Sequence, residues 1–234
     1  WRAGADWLYG HLLDGDLASN HLSWQWVAGT GSTKPYLFNA DNVARFAPGP
    51  WHSPGSVIDT TYERLAQISL DAQHRSHPAH AVSPQQPACM EPPVWGAPPS
   101  PWGHGLPDAA LAHGKEVWLV HPWSLGPLPS DLSPDTLVIG ITVSDFHQTW
   151  PWDAKRWAFV EQRMADIGGL RWHGSAQALH AALAQAAVVR CVTDPHIDPW
   201  LPPSALRQSP DALFAPVEHW CPSFSKWWKH AAPA

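Results

Sequence analysis

Asp14, Asp16, Asn20 and Trp24 are the residues of this chain whose types and spacing are best suited to chemistry. Asp16, Asn20 and Trp24 stand at i, i+4 and i+8, so a helix opening near Asp16 lines up a carboxylate, an amide and an indole on one face. Such a stripe suits a ligand better than a core, because an amide in a helix interior has low propensity and needs a reason to be there. Asp14 and Asp16 flank Gly15, which interrupts the chain between the helical spacing of Trp7, Leu8, His11 and Leu12 and a second helix over Leu17 to Val27. Helix capping around Gly15 is the plainer explanation of the two acids, and it stays open at this point.

The run Leu12-Leu13-Asp14-Gly15-Asp16-Leu17-Ala18-Ser19-Asn20, followed by Trp24-Gln25-Trp26, resembles the flavin-binding core of the DNA photolyase/cryptochrome family. Trp1-Arg2-x-Gly4 resembles the motif that opens the preceding helix in that family, and Pro35-Tyr36-Leu37-Phe38-Asn39 a segment downstream of it. The resemblance implies bound FAD, with Asp14, Gly15, Asp16 and Asn20 at the cofactor. Asp14 would pair with an arginine upstream, Asp16 would contact the flavin or ribityl region, and Asn20 would sit against flavin N5. Trp24 would be the tryptophan nearest the flavin in an electron-transfer chain and Trp1 the next one out. A large aromatic core is the other account of those indoles in a chain with 17 tryptophans.

Departures from the family pattern bear on activity. The segment after Pro35 lacks the basic residue found between the family's two aromatics, a side chain expected near damaged DNA. Trp51-His52-Ser53-Pro54-Gly55-Ser56 replaces the usual continuation, and His21-Leu22-Ser23 replaces small polar positions after the asparagine. A net charge of −6, with only Arg2, Lys34, Arg45 and Arg64 as Lys/Arg in the first 71 residues, does not advertise nucleic-acid binding.

The three cysteines, Cys89, Cys191 and Cys221, are odd in number and widely spaced, so neither a disulfide framework nor a zinc pattern is expected. His74, His77 and His80 with Cys89 fall in a run rich in Pro and Ala and read as a histidine-bearing linker, not a metal site. There is no apolar run long enough for a membrane helix and no secretion signal, so a soluble cytoplasmic protein without a membrane partner is expected. Trp1 in place of an initiating Met suggests a fragment or a processed chain.

The elements divide the chain in three. Residues 1–71 read as helical, with a last helix over Thr60 to about Leu70. Residues 72–114 carry too many prolines for a helix or central strand and read as a linker or extended wrap. Residues 115–234 alternate. Strands are expected at Val117 to Val120, Leu137 to Val143, Leu170 to Trp172, Val188 to Val192 and Leu213 to Val217. Helices are expected over Ala154 to Ile167, Gln177 to Ala186 and Phe224 to Ala231. This alternation predicts a Rossmann-like parallel α/β domain, without a helix between Trp123 and Thr136. With no Gly-x-Gly-x-x-Gly after the first strand, a nicotinamide site is not expected. Lys155-Arg156-Trp157-Ala158-Phe159-Val160 and Phe224-Ser225-Lys226-Trp227-Trp228-Lys229 resemble segments of the photolyase antenna domain, which would here follow the flavin piece. No residue names a second antenna chromophore.

The fold class expected is thus α plus α/β: a helical fragment of a photolyase-type FAD-binding domain, then a Rossmann-like domain. The resemblance implies a blue-light-driven photolyase-like activity, in which reduced FAD injects an electron into a pyrimidine dimer in damaged DNA. A cryptochrome-like photosensor without repair and a non-catalytic remnant are the other two readings. The missing basic residue favours the photosensor over repair.

Overall fold

The computed structural model describes residues 1–28, 36–75 and 104–231. The Gly29-Thr30-Gly31 helix stop, Pro35, the linker tryptophans and His77, His80 and Cys89 lie outside the described residues, as does the side chain of His74. The chain forms two compact units: Trp1–Ser100 with Thr149–Phe159, and Pro101–Gln148 with Val160–Ala234.

In the first unit, α1 (Arg2–His11) and α2 (Leu17–Val27) pack against each other. Their close approach is written into the sequence at Gly4, where a Cβ would fall 2.6 Å from Cη2 of Trp24. Leu12 leaves α1 in an extended conformation, and the turn through Gly15 brings Asp16 to the N-cap of α2, where its Oδ1 accepts the Ser19 N–H at 2.6 Å. That satisfies one of the donors a helix start leaves open. Downstream, α3 (Ala40–Phe46) is capped by Asn39, whose Oδ1 accepts the Asn42 N–H at 3.0 Å while its Nδ2 donates to Thr60 O at 3.2 Å. A short 3-10 turn (Gly49–Trp51) follows, and α4 (Tyr62–Arg75) replaces the shorter helix expected over Thr60 to Leu70. The Thr149–Phe159 segment belongs to this unit and is tied to α1 by the Asp153 N–H donating to Gly10 O at 3.0 Å.

The second unit is a five-stranded, all-parallel sheet in the order β3-β2-β1-β4-β5, with β1 Glu116–Val120, β2 Leu137–Val143, β3 Leu170–Gly174, β4 Val188–Val192 and β5 Leu206–Gln208. Leu119 pairs with Ile139 on one side and Cys191 on the other, at the centre of the sheet. Its core is made of Val117, Leu119, Ile139, Ile141, Val143 and Val189 with Leu179 and Leu183 from α8 (Ala176–Leu183), so the β-branched runs lie buried as a covered parallel sheet requires. The remaining helices are α5 (Ala109–Ala112), α6 (Ser144–Thr149), α7 (Ala154–Ile167) and α9 (Phe224–Ala231). No helix lies between Trp123 and Thr136. The fold class is therefore α plus Rossmann-like α/β.

Three element readings are corrected. Leu213 to Val217 is not a strand: Pro216 denies the run a ladder donor and Leu213 is 94% exposed, while the edge strand is Leu206–Gln208 instead. The proline-rich stretch ends earlier than expected, because Gly105 bridges to Trp172 beside β3 and Asp108 caps α5 by accepting the Ala110 N–H at 2.9 Å. The helix expected over Gln177 to Ala186 ends at Leu183.

Candidate functional site

The turn between α1 and α2 and the facing surfaces of both helices enclose a cavity of about 490 Å³. Asp14, Gly15, Asp16, Asn20 and Trp24 all line it. Leu8, Leu12 and Val27 supply its apolar wall, and Ser19 and Ser23 add hydroxyls. Asn20 is 7% exposed, and its Nδ2 donates to Ala5 O on α1 at 2.7 Å, which pins the amide and directs its donor away from the solvent. A buried amide satisfied in this way is a fixed hydrogen-bonding group, not a mobile one. Asp16 caps α2, as the capping reading expects, and it also lines the cavity. Trp1 lies outside the cavity, 43% exposed, with its ring edge-on to His21 at 6.1 Å.

Behind the turn sits a residue that motif spacing did not single out. Arg156 is 3% exposed; its Nη1 donates to Tyr9 O and its Nη2 to Gly15 O, each at 2.8 Å. The guanidinium lies 3.9 Å from the centroid of the Trp152 ring and 4.8 Å from that of Tyr9. Burial lowers the Arg156 pKa from its usual value, opposed by the neighbouring Tyr9 and Asp14. Burial raises the Tyr9 hydroxyl, with Arg156 and Trp152 pulling the other way. Lys155 to Val160 resembles an antenna-domain segment by sequence, yet Thr149–Phe159 belongs to the helical first unit.

The second unit has its own cleft, about 620 Å³, lined among others by Trp118, Trp123, Ser124, Val192 and Gln208. It lies where the strand order reverses around β1 and β4, the general place for ligands in open α/β sheets. Beside it, His196 stacks on Trp123 with centroids 4.9 Å apart and planes 4° from parallel, and its Nδ1 donates to Asp194 at 2.7 Å. His121, wholly buried at the end of β1, donates from Nε2 to Val192 O at 2.8 Å; burial lowers its pKa, so the ring is held neutral. The sequence signal for this cluster was a Thr-Asp-Pro-His turn straight after a strand. Among the described residues, no group of three His, Cys, Asp or Glu side chains is arranged to hold a metal, and no helix is long and apolar enough to cross a membrane.

Comparison with known proteins finds similarity in the first part of the chain. Residues 1–89 match the family model described as the FAD binding domain of DNA photolyase. A deoxyribodipyrimidine photo-lyase of Halobacterium salinarum is 33% identical over 94 residues, 34% of this chain and 19% of that protein. The protein of the same name from Escherichia coli is 31% identical over 87 residues, covering 30% of this chain and 18% of its own length. One from Streptomyces griseus is 58% identical over 36 residues, 15% of this chain and 8% of that protein. The chain therefore spans no more than about a fifth of these curated relatives. No solved structure matches it.

Proposed function

We propose that the helical unit holds the isoalloxazine end of FAD, as part of a photolyase-like, blue-light-driven protein of the cytoplasm that acts on pyrimidine dimers in damaged DNA. The single observation that carries the reading is the convergence of Asp14, Asp16, Asn20 and Trp24 on one cavity, within the stretch that matches the FAD binding domain family. The lining suits a flat ring system with one polar edge: Leu8, Leu12, Val27 and Trp24 would hold its body, and the carboxylates, hydroxyls and the Asn20 amide would supply polar partners. A cavity of this size falls in the ordinary range of about 300 to 1,000 Å³ for ligand sites. Reduced FAD, when bound, supplies the photoinduced electron.

The residues have distinct tasks in this scheme. Asn20, fixed by Ala5 O, would be the amide partner of the ring edge. Asp16 orients the start of α2 and presents a carboxylate at the same rim. Trp24 gives the cavity an oxidisable indole wall, and Trp1, at the outer end of α1, is an indole open to solvent. The lack of a basic residue between the aromatics Tyr36 and Phe38 favours a second reading: a photosensor that keeps the flavin and does not repair.

The test is to add FAD to the purified chain, remove the excess, and record the visible spectrum before and after blue light with a reductant. Retained flavin absorbance that bleaches under light supports the proposal. Restoration of thymine absorbance in an oligonucleotide bearing a dimer then separates repair from photosensing. A protein that stays colourless refutes flavin binding by this chain.

A further inference from the structure

Arg156 lies far outside the stretch that matches the FAD binding domain family, yet it is the residue that closes the back of the Asp14-Gly15-Asp16 turn. Its two hydrogen bonds reach carbonyls on both sides of that turn: Tyr9 O near the end of α1 and Gly15 O at the apex. One planar fork thus spans the chain reversal, a geometry that an ammonium group does not reproduce. The fork is itself clamped, with Trp152 against one ring contact and Tyr9 against the other. The clamp is anchored in turn: Trp152 Nε1 donates to the Tyr9 hydroxyl at 3.4 Å, and Asp153 N–H to Gly10 O.

Gly15 records the same fit from the other side. A Cβ there would stand 2.6 Å from Nη1 of Arg156 and 2.9 Å from Tyr9 O, so the turn has room for the guanidinium only because residue 15 has no side chain. The turn exposes two carboxylates, Asp14 and Asp16, one residue either side of Gly15. Like charges so close resist a compact turn, and the buried cation behind them offsets that repulsion.

We propose that Arg156 is a positioning residue of the ligand site: it fixes the turn that aims Asp14 and Asp16 at the cavity, so that Thr149–Phe159 is a working part of the site and not a spacer. Its effect on flavin rests on the function proposed above; its effect on the turn does not. Loss of two hydrogen bonds to a charged donor, partly recovered by water, corresponds to a weakening of ligand binding of about ten- to a hundredfold.

The experiment uses the full chain with Arg156→Gln, Arg156→Lys, Gly15→Ala, the double variant Gly15→Ala/Arg156→Gln, and Lys155→Gln as an exposed neighbour. Hydrogen exchange by mass spectrometry reads the turn directly, and FAD titration reads the site. Arg156→Gln is expected to speed exchange at least tenfold in peptides covering residues 13–19, with peptides of β1 and β2 unchanged. FAD affinity falls in parallel, Arg156→Lys recovers part of the affinity by restoring the charge, and the double variant is no worse than the poorer single one. Lys155→Gln behaves as the parent. If Arg156→Gln leaves both exchange in the turn and FAD affinity as in the parent, the proposal is overturned. It is also overturned if exchange rises equally across the first unit, since that is general loosening. A parent chain that binds no FAD refutes the proposed function alone, and the exchange pattern still decides the role of Arg156.

Discussion

Gly4→Ala is the perturbation whose consequence follows most directly from the α1–α2 contact. In a helix interior, alanine is favoured over glycine by about 1 kcal/mol. Against that gain, the new Cβ would lie 2.6 Å from Cη2, 2.7 Å from Cζ3 and 3.3 Å from Cζ2 of Trp24. Carbon atoms rest at roughly 3.5 to 4.0 Å, so the indole must retreat by about 1 Å. Overpacking of this kind costs about 1 to 3 kcal/mol where the neighbours are fixed. Trp24 is not fixed on all sides, because it also borders the 490 Å³ cavity and can tilt into it. The net destabilisation is therefore small, between about 0 and 2 kcal/mol, and the larger effect is on the cavity. If the cavity holds FAD as proposed, an indole displaced into it lowers FAD affinity by about tenfold or more, equivalent to at least ~1.4 kcal/mol. Urea unfolding followed by far-UV circular dichroism measures the first quantity and flavin fluorescence titration the second. A variant with unchanged FAD affinity would refute the reasoning, since Trp24 would then not be both the packing partner of Gly4 and the wall of the ligand site.

Two further outcomes concern the second unit. Gly168 and Gly169 both have positive φ, at +86° and +89°, but only at Gly169 would a Cβ overlap the Val138 carbonyl; nothing lies within 4 Å at Gly168. Gly168→Ala should cost about 1 kcal/mol from backbone conformation alone, and Gly169→Ala at least ~2 kcal/mol more from the rigid overlap, measured by urea unfolding; equal effects would contradict the β2–β3 connection described. Burial holds the imidazoles of His121 and His173 below their usual range, so the unfolded chain takes up protons that the native one refuses. Stability is then fully present above about pH 6.5 and falls on acidification, with up to ~1.4 kcal/mol per pH unit for each histidine. His121→Gln, which keeps a donor for Val192 O, should flatten part of that fall in melts recorded across mildly acidic pH. An unchanged pH profile would show that His121 is not the titrating group.

What was legible in the sequence was whatever local pattern encodes. Leu17–Val27 and Ala154–Ile167 carry helical spacing over two or more turns, and Leu137–Val143 is a β-branched run between breakers, so their limits agree with the structure. The short elements did not announce themselves. Ser144–Thr149 begins directly at the end of β2 with no breaker between, and Leu206–Gln208 is a three-residue edge strand with little buried surface to leave a pattern. The stripe of Asp16, Asn20 and Trp24 was readable because its members are four residues apart on one helix. Arg156 was not, because its acceptors are 147 and 141 residues away, at Tyr9 and Gly15. Its place also depends on Trp152, four residues before it, and on Tyr9, whose distance in sequence no local motif spans.

The central claim is that the cavity between α1 and α2 holds the flavin ring, and titration of FAD into the full chain and into Asn20→Leu tests it most directly. Asn20→Leu keeps the branching of the side chain, at a larger volume, while removing the amide that Ala5 O pins at the cavity wall. Saturable quenching of flavin fluorescence by the parent chain, weakened by about tenfold or more in Asn20→Leu with the second unit's unfolding transition unchanged, is the result predicted. Equal binding by the two proteins, or no binding by either, would contradict it.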